Sequence, residues 1–491
     1  MALYFGEIHT HTGLSDGRGE PADAFAAGRA HLDFCALADH AQWHDAPEHE
    51  GYTWAQERLA GWREAVPAER DRWPEVQRLV RDYYEPGQFV TFLAYEWSSQ
   101  RWGDHNVYYL RDDEPIRYAD SLAELYAELD GVECMVIPHH SAYPAHHRGY
   151  DWEGFDTSKA PVAEIYSSHG SSETDETRYH FTGNPMGPRC AQGTLQRALE
   201  LGHVIGFIAS SDGHDAFPGT HGSGLVGVYA DELTREALWD SFWKRRVYAV
   251  TGDRIRLDFG LNEAAMGEVV SAGGQEPRRL KVEVDGWDCL DVVEVVKNGR
   301  AVQQWAGFGL NSAEGASRFK VGFEWGYHSF PFEREWNILV EVTGGRIADI
   351  GPCFQQQRGA PTGFHRAETR NPQTLEITSK TESPRPGGGE FQHVDLDIEG
   401  GPDARMIVRL DGQAVIEGTI GELMRESRHA IPYGHYAGTA ILGRAVPEAQ
   451  FYSKLEWEDS VAENERDYYY VRAFQKNGQG CWSSPIWVDR S

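Results

Sequence analysis

Short apolar runs alternate with longer amphipathic stretches through the first half of the chain. The runs are Leu3–Ile8, Phe34–Ala38, Phe89–Tyr95, Asn106–Leu110, Cys134–Ile137, Val162–Tyr166, Val204–Ala209 and Leu225–Tyr229. Their length and bordering turn residues predict strands. The intervening spacing predicts helices over Pro21–Leu32, Trp54–Asp82, Ser121–Leu129, Gln192–Leu201 and Thr234–Arg245. The first of these places proline in the opening turn, where a helix tolerates it. Strands and helices in this alternation predict a β/α architecture.

The pattern changes near residue 250, where Val250-Thr251-Gly252-Asp253 closes the helical part. Beyond it, short period-2 or buried runs predict strands at Ile255–Leu261, Leu280–Val284, Val292–Lys297, Trp336–Val342, Val394–Ile398, Met406–Leu410, Tyr468–Gln475 and Pro485–Val488. Turn signals such as Lys297-Asn298-Gly299 and Lys476-Asn477-Gly478 separate them, so residues 253–491 read as an all-β, Ig-like sandwich. Arg346–Gly389, rich in Gln, Thr, Pro and Gly, reads as a long irregular excursion within it. The expected division is therefore 1–252 and 253–491.

A length of 491 residues suits two or three domains, and 40% hydrophobic with 25% charged residues is a globular composition. No apolar run approaches the roughly 20 residues of a membrane span. The N-terminus shows neither a basic n-region nor an apolar h-region, so the expectation is an unprocessed cytoplasmic protein. Six scattered cysteines with no C-x-x-C pair predict buried reduced thiols. A net charge of −30 repels nucleic acid and anionic membrane, so a small-molecule substrate is expected, with an oligomer open.

What ends the strands carries the chemistry. The first ends in His9-Thr10-His11, whose i, i+2 imidazoles share one face of an extended chain. The others end in or border Asp39-His40, Glu96, Asp104-His105, His139-His140, His169 and Asp212-Gly213-His214. In a β/α barrel the C-terminal strand ends converge on one mouth. His9, His11, Asp16, His40, Glu96, His105, His139 (or His140), Asp212 and His214 exceed one tetrahedral site and suit two or three divalent ions. Nitrogen and oxygen donors without thiolate point to Zn, Mn or Fe, and to metal-assisted hydrolysis. Glu96, central among the strands, could bridge two ions.

His9-x-His11 with Ser15-Asp16-Gly17, Asp39-His40, Glu96 with His105-Asn106-Val107, His139, and Ser211-Asp212-Gly213-His214 resemble the motif series of the PHP (polymerase and histidinol phosphatase) superfamily. Tyr4-Phe5-Gly6-Glu7-Ile8, Tyr248-Ala249-Val250-Thr251-Gly252, Met266-Gly267 and Trp482-Ser483-Ser484-Pro485-Ile486-Trp487 resemble a PHP-like branch with a C-terminal β domain. The resemblance implies a distorted (β/α)7, TIM-like barrel whose trinuclear centre hydrolyses phosphoesters with a metal-bridging hydroxide. It implies His9, His11, Glu96 and Asp212 on a first ion, Glu96, His105 and His139 on a second, and Asp16, His40 and His214 on a third. Asp16 stands where some members carry histidine. Val136-Ile137-Pro138 would aim His139 into the mouth ahead of His140.

Other residues complete the expected site. His169 could protonate a leaving oxygen, Asp39 could orient an imidazole, and His140 remains a catalytic candidate. Arg18, Arg101, Arg148 and Arg178 fall in loops expected to rim the mouth, where a guanidinium suits a substrate oxyanion. His146, His147 and His180 belong to the same rim. Trp97, Trp102 and Trp152 could wall it, whereas Trp287, Trp325, Trp336 and Trp482 are expected in the β core. The same metal chemistry could serve a carboxylic ester or carbamate. A carbohydrate- or protein-binding module beside a vestigial barrel is the non-enzymatic alternative.

Overall fold

A computed structural model describes residues 1–46, 70–176, 178–179, 189–273, 276–309, 315–328, 332–355, 365–383, 391–434 and 437–491. Of the expected helix Trp54–Asp82, the first part lies outside the described residues, and 70–83 is helical. His180 and Pro384–Gly389 also lie outside them.

The first sheet grows from its most apolar strands. β1 (Ala2–Glu7) pairs in parallel with β2 (Phe34–Ala36), and β2 pairs in parallel with β4 (Val90–Ser98). Every residue of β4 is buried, as expected of a strand covered on both faces. β3 (His40–Trp43) adds to its far end and sets His40 opposite Glu96. Gly6 permits the close β1–β2 approach, because a Cβ there would stand 2.4 Å from the Phe34 carbonyl oxygen.

Further out, the parallel expectation gives way. β5 (His105–Tyr109) runs antiparallel to β4, and β6 (Cys134–Pro138) antiparallel to β5. The β4–β5 link is too short for a crossover helix, so the chain must turn back. On the other side, β10 (Leu225–Ala230) and β11 (Val247–Val250) continue antiparallel from β1. β7 (Val162–Ser167), β8 (Gly170–Ser171) and β9 (Gly206–Ala209) form a separate small sheet, with β7 and β9 parallel. Among the described residues the strand pairings make an open path and no closed ring. The helices Leu122–Glu128, Leu195–Glu200 and Arg235–Trp243 each begin on a Ser or Thr side chain that accepts a backbone N–H.

The C-terminal strands join this sheet. Gly480–Ser483 pairs with β11, aligning Tyr248 with Ser483 and Val250 with Cys481. Phe5, Leu225 and Tyr248 share one apolar core with Leu257, Val282, Val293, Val471 and Cys481. A second β unit has its own core, including Trp325, Trp336, Val340, Leu396 and Val408. Its backbone is the antiparallel pair Phe332–Cys353 and Phe391–Leu410. The expected excursion is therefore largely strand. Arg366–Asn371 and Thr374–Ser383 form a hairpin, because Leu375 and Ile377 alternate with polar neighbours and turn inward. Trp287, Trp325, Trp336 and Trp482 are buried, as expected. Among the described residues no helix is long and apolar enough to cross a membrane.

One buried carboxylate fastens the strand ends. Glu7 accepts the backbone N–H groups of His9 (3.1 Å), Ser211 (2.8 Å) and Gly219 (3.0 Å). Glu7→Ala leaves these buried donors unpaired, at about 1–3 kcal/mol each. The expected result is a lower urea midpoint, corresponding to an unfolding free energy reduced by about 3 kcal/mol or more. An unchanged midpoint would remove Glu7 from this role.

Candidate metal centre

Backbone pairing beyond β1 assembles the core of the site. The His11 N–H donates to the Gly213 carbonyl (2.8 Å) and the Asp212 N–H donates to the His9 carbonyl (2.9 Å). These two bonds lay His9-Thr10-His11 against Asp212-Gly213. Asp212 takes a left-handed φ of 52°, which turns its carboxylate back over the strand ends.

Glu96 lies at the middle. Its Oε2 is 3.0 Å from His40 Nδ1, 3.3 Å from His11 Nε2 and 3.6 Å from His9 Nε2, while Oε1 is 3.5 Å from His139 Nε2. Asp212 Oδ1 stands 3.2 Å from His11 Nε2 and 3.6 Å from His9 Nε2. Asp16 Oδ1 is 3.2 Å from His214 Nε2 and 3.5 Å from His40 Nε2. The donor atoms fall into compact groups of metal-binding size: His9/His11/Asp212, His11/Asp16/His40/His214, His9/His139/Glu164, Asp104/His139/His140 and His140/His169/Asp212.

The electrostatics favour positive charge here. Burial opposes a charged His9, yet Asp212 and Glu164 hold its pKa well above the usual value. Burial also opposes charge on Asp212, but His9 and His169 draw its pKa well below normal. His11 behaves oppositely: burial, then the neighbouring His214 and His40, lower its pKa to about 3, leaving a neutral imidazole. His9 Nε2 and His11 Nε2 approach to 3.2 Å, an arrangement that one shared proton or one shared cation satisfies. Both ring nitrogens of His139 and of His140 are buried without a hydrogen bond. Buried lone pairs of this kind, ringed by carboxylates, fit divalent metal ions.

The expected ligands His9, His11, Asp16, His40, Glu96, His139, Asp212 and His214 thus come together. His105 is in none of the groups named above. Its Nδ1 meets the Gly103 carbonyl (3.2 Å), and its ring packs beside Tyr150, Trp97 and Phe155. The residue before it faces the cluster instead, with Asp104 Oδ2 3.3 Å from His140 Nε2. His140, at φ 33°, turns in alongside His139, so the pair does not divide into one inward and one outward ring.

Asp39 does not orient an imidazole as expected. Its oxygens accept from the Thr12 N–H (2.7 Å), the Thr12 hydroxyl (2.8 Å) and the Ser15 hydroxyl (2.7 Å), pinning the loop that carries Asp16. His169 does reach the site, with Nε2 3.0 Å from Asp212 Oδ2 and Nδ1 2.9 Å from the Tyr143 hydroxyl. Among the arginines, Arg148 alone is brought to the cluster: it pairs with Asp104 and lies 3.8 Å from Glu96 Oε1. Arg178 pairs with Asp291, Arg101 lies over Trp102, and Arg18 is exposed. His146 and His147 are exposed, whereas Trp97 and Trp152 are fully buried and Trp102 is half-exposed.

Two carboxylates outside the expected set matter. Asp104 is one. Glu164 is the other, with Oε2 3.0 Å from His9 Nδ1. Burial, partly offset by His9, pushes its pKa up to about 7. Its signal was visible as a lone carboxylate inside the apolar run Val162–Tyr166. A carboxylate on the rear nitrogen of a ligating imidazole fixes its tautomer and orientation, and its loss typically weakens metal binding about 10–100-fold. Glu164→Gln is expected to raise the metal dissociation constant by about that factor in a competition titration. Unaltered affinity would make Glu164 a structural partner only.

A family model described as a protein of unknown function (DUF3604) matches residues 45–142 and 166–263. An uncharacterized protein of Chlamydia pneumoniae is 27% identical over 252 residues, covering 47% of this chain and 40% of its own length. A second, from Chlamydia muridarum, is 24% identical over 315 residues, covering 59% of this chain and 46% of its own. The chain therefore spans less than half the length of these curated relatives. Among solved structures, a two-domain protein from Bacteroides vulgatus containing a predicted PHP-like metal-dependent phosphoesterase matches with TM-score 0.35 and 13% identity, over 60% of this chain and 79% of that one. The lesion-specific endonuclease EndoQ of Pyrococcus furiosus matches with TM-score 0.32 and 12% identity, over 49% of this chain and 56% of that one.

Proposed function

We propose that this chain is a metal-dependent hydrolase of phosphoric mono- or diesters. The observation that carries the reading is Glu96, whose two oxygens lie 3.0–3.6 Å from four imidazoles. His9, His11, Glu96 and Asp212 would hold a first ion, Glu96 and His139 with Asp104 or His140 a second, and Asp16, His40 and His214 a third. Bound divalent ions would polarise the ester and lower the pKa of water. Residues 1–252 are read as the catalytic unit, built as a distorted barrel, and 253–491 as the β unit. Six thiols free of disulfides suit a reducing, cytoplasmic setting.

The chain's own groups complete the reaction. The Arg148 guanidinium, little exposed beside Asp104 and Glu96, would hold a substrate oxygen. His169, between Tyr143 and Asp212, keeps a ring proton oriented beside the ligand cluster. Buried Trp97 and Tyr150 pack on His105, next to the Asp104 that faces the cluster, and Trp152 backs Tyr150. The net charge of −30 disfavours a polyanionic partner and favours a small phosphoester.

The test compares hydrolysis of p-nitrophenyl phosphate, bis(p-nitrophenyl) phosphate and p-nitrophenyl acetate by one preparation loaded with Mn or Zn. Metal-dependent turnover of a phosphate ester is expected to exceed that of the acetate. Turnover of the acetate alone would transfer the reading to carbonyl esters, and turnover of none would reject hydrolysis of simple aryl esters.

A further inference from the structure

A second cluster of metal-binding groups lies where the loops of the first unit meet the long strands of the β unit. It shares no side chain with the centre around Glu96. Four segments contribute: His221 from the β9–β10 loop, Asp253 from just after β11, Cys353 from the end of Phe332–Cys353, and Asp395 from Phe391–Leu410. The register of the last two strands sets Gly351 opposite Asp395 and Cys353 opposite His393, which brings Cys353 and Asp395 onto one face.

The donor atoms are close. His221 Nε2 is 2.8 Å from Asp253 Oδ1, Cys353 Sγ is 3.9 Å from the same oxygen, and Cys353 Sγ is 3.5 Å from Asp395 Oδ2. Each carboxylate has its other oxygen already engaged. Asp253 Oδ2 accepts from the Gln475 amide (2.6 Å) and the Asn477 amide (2.7 Å), and Asp395 Oδ1 meets His393 Nε2 at 2.7 Å. The supporting groups thus aim Asp253 Oδ1 and Asp395 Oδ2 at the thiol. Its one hydrogen faces three acceptors, since the Gly351 carbonyl lies 3.4 Å away as well. Cys353 is 3% exposed and Asp253 1%, so neither group is simply solvated.

We infer that His221 Nε2, Asp253 Oδ1, Cys353 Sγ and Asp395 Oδ2 form a second metal site, suited to a thiophilic divalent ion of the zinc class. One thiolate, one imidazole and two carboxylates make a four-donor set of the composition zinc accepts. Gln475, Asn477 and His393 are the outer partners that hold the carboxylates in place. On binding, the thiol releases its proton to solvent, His221 exchanges the Nε2 proton it shares with Asp253 for one on Nδ1 and stays neutral, and the sulfur and Nε2 lone pairs go to the ion. The thiolate and two carboxylates then carry three negative charges, which the ion and a His393 imidazolium neutralise. Burial and the two nearby carboxylates disfavour the bare thiolate, so the sulfur ionises only with the ion. Four segments distant in sequence would be fastened at one point, and one of them continues the loop that carries Asp212 and His214.

Cobalt(II) substitution of the full chain tests this, because the centre around Glu96 contains no thiol. Wild-type protein loaded with Co(II) is expected to show thiolate-to-cobalt charge transfer in the near ultraviolet. That band should disappear in Cys353→Ser and persist in His9→Ala, which disturbs only the other centre. Bound zinc should fall by one ion per chain in Cys353→Ser, and His9→Ala, whatever it loses at the other centre, should keep that one ion. If Cys353→Ser fails to fold, zinc protection of Cys353 from alkylation in the wild-type chain, read by peptide mass spectrometry, gives the same answer. A wild-type spectrum without the thiolate band, a band that survives Cys353→Ser, or alkylation of Cys353 unaffected by zinc would each overturn the site and leave a hydrogen-bonded His–Asp–Cys network.

Discussion

Glu96→Ala is expected to abolish metal-dependent hydrolysis, lowering kcat/KM by at least about 10³-fold, or ~4 kcal/mol of transition-state stabilisation. The size follows from its position. Glu96 contacts His9, His11 and His40 through one oxygen and His139 through the other, so its removal strips a donor from each neighbouring group together. Metal analysis of the same variant should show the loss of more than one ion per chain. The fold should survive, because the side chain lies among polar groups and its strand is held by three neighbours. A variant that keeps both its metal and most of its activity would remove Glu96 from the centre of the account.

Metal removal should be nearly as conspicuous in stability. The cluster buries imidazoles and carboxylates whose lone pairs converge, with His139 and His140 lacking any hydrogen bond at their ring nitrogens. An ion bound to the folded chain alone stabilises it by about 4 kcal/mol at a thousandfold excess over its dissociation constant. For a unit of this size, each kcal/mol shifts Tm by roughly 2–4 °C. Calorimetry of metal-loaded and chelator-treated protein should therefore show melting points separated by on the order of 10 °C for each filled site. Coincident melting curves would mean that the convergent donors do not bind an ion at useful affinity.

Several features of this site were legible without coordinates, for a physical reason. Strand ends can be read from apolar runs, and polar residues just beyond them have few places to go except the shared end of the sheet. His9, His11, His40, Glu96, His139 and Asp212 are of this kind. Asp16 and His214 follow because glycines beside them mark tight loops folding over the same end.

What escaped depends on facing. At the β4–β5 turn the chain reverses, and spacing does not say which of Asp104 and His105 looks inward; Asp104 does, and His105 takes the aromatic pocket of Tyr150. Asp39 illustrates competition: a carboxylate near three donors from Thr12 and Ser15 satisfies those first. Glu164 stood out as a lone carboxylate inside an apolar run, but spacing alone does not turn it toward His9. The segment after Arg346 misled by composition, because Gln and Thr mark loops statistically, yet the alternation of Leu375 and Ile377 is what the sheet recognises. Strand direction was the deepest omission. Apolar runs carry no arrow, so β5, β6 and β10 fitted a β/α alternation, whereas short connections and pairings make them antiparallel.

The most direct measurement is an anomalous-scattering map from crystals of the metal-loaded chain, recorded above and below each metal's absorption edge. The account predicts at least two ions within coordinating distance, about 2.0–2.3 Å, of the side chains around Glu96, with Glu96 itself touching more than one. A map with no ion at Glu96, from protein that binds less than one ion per chain, would contradict it.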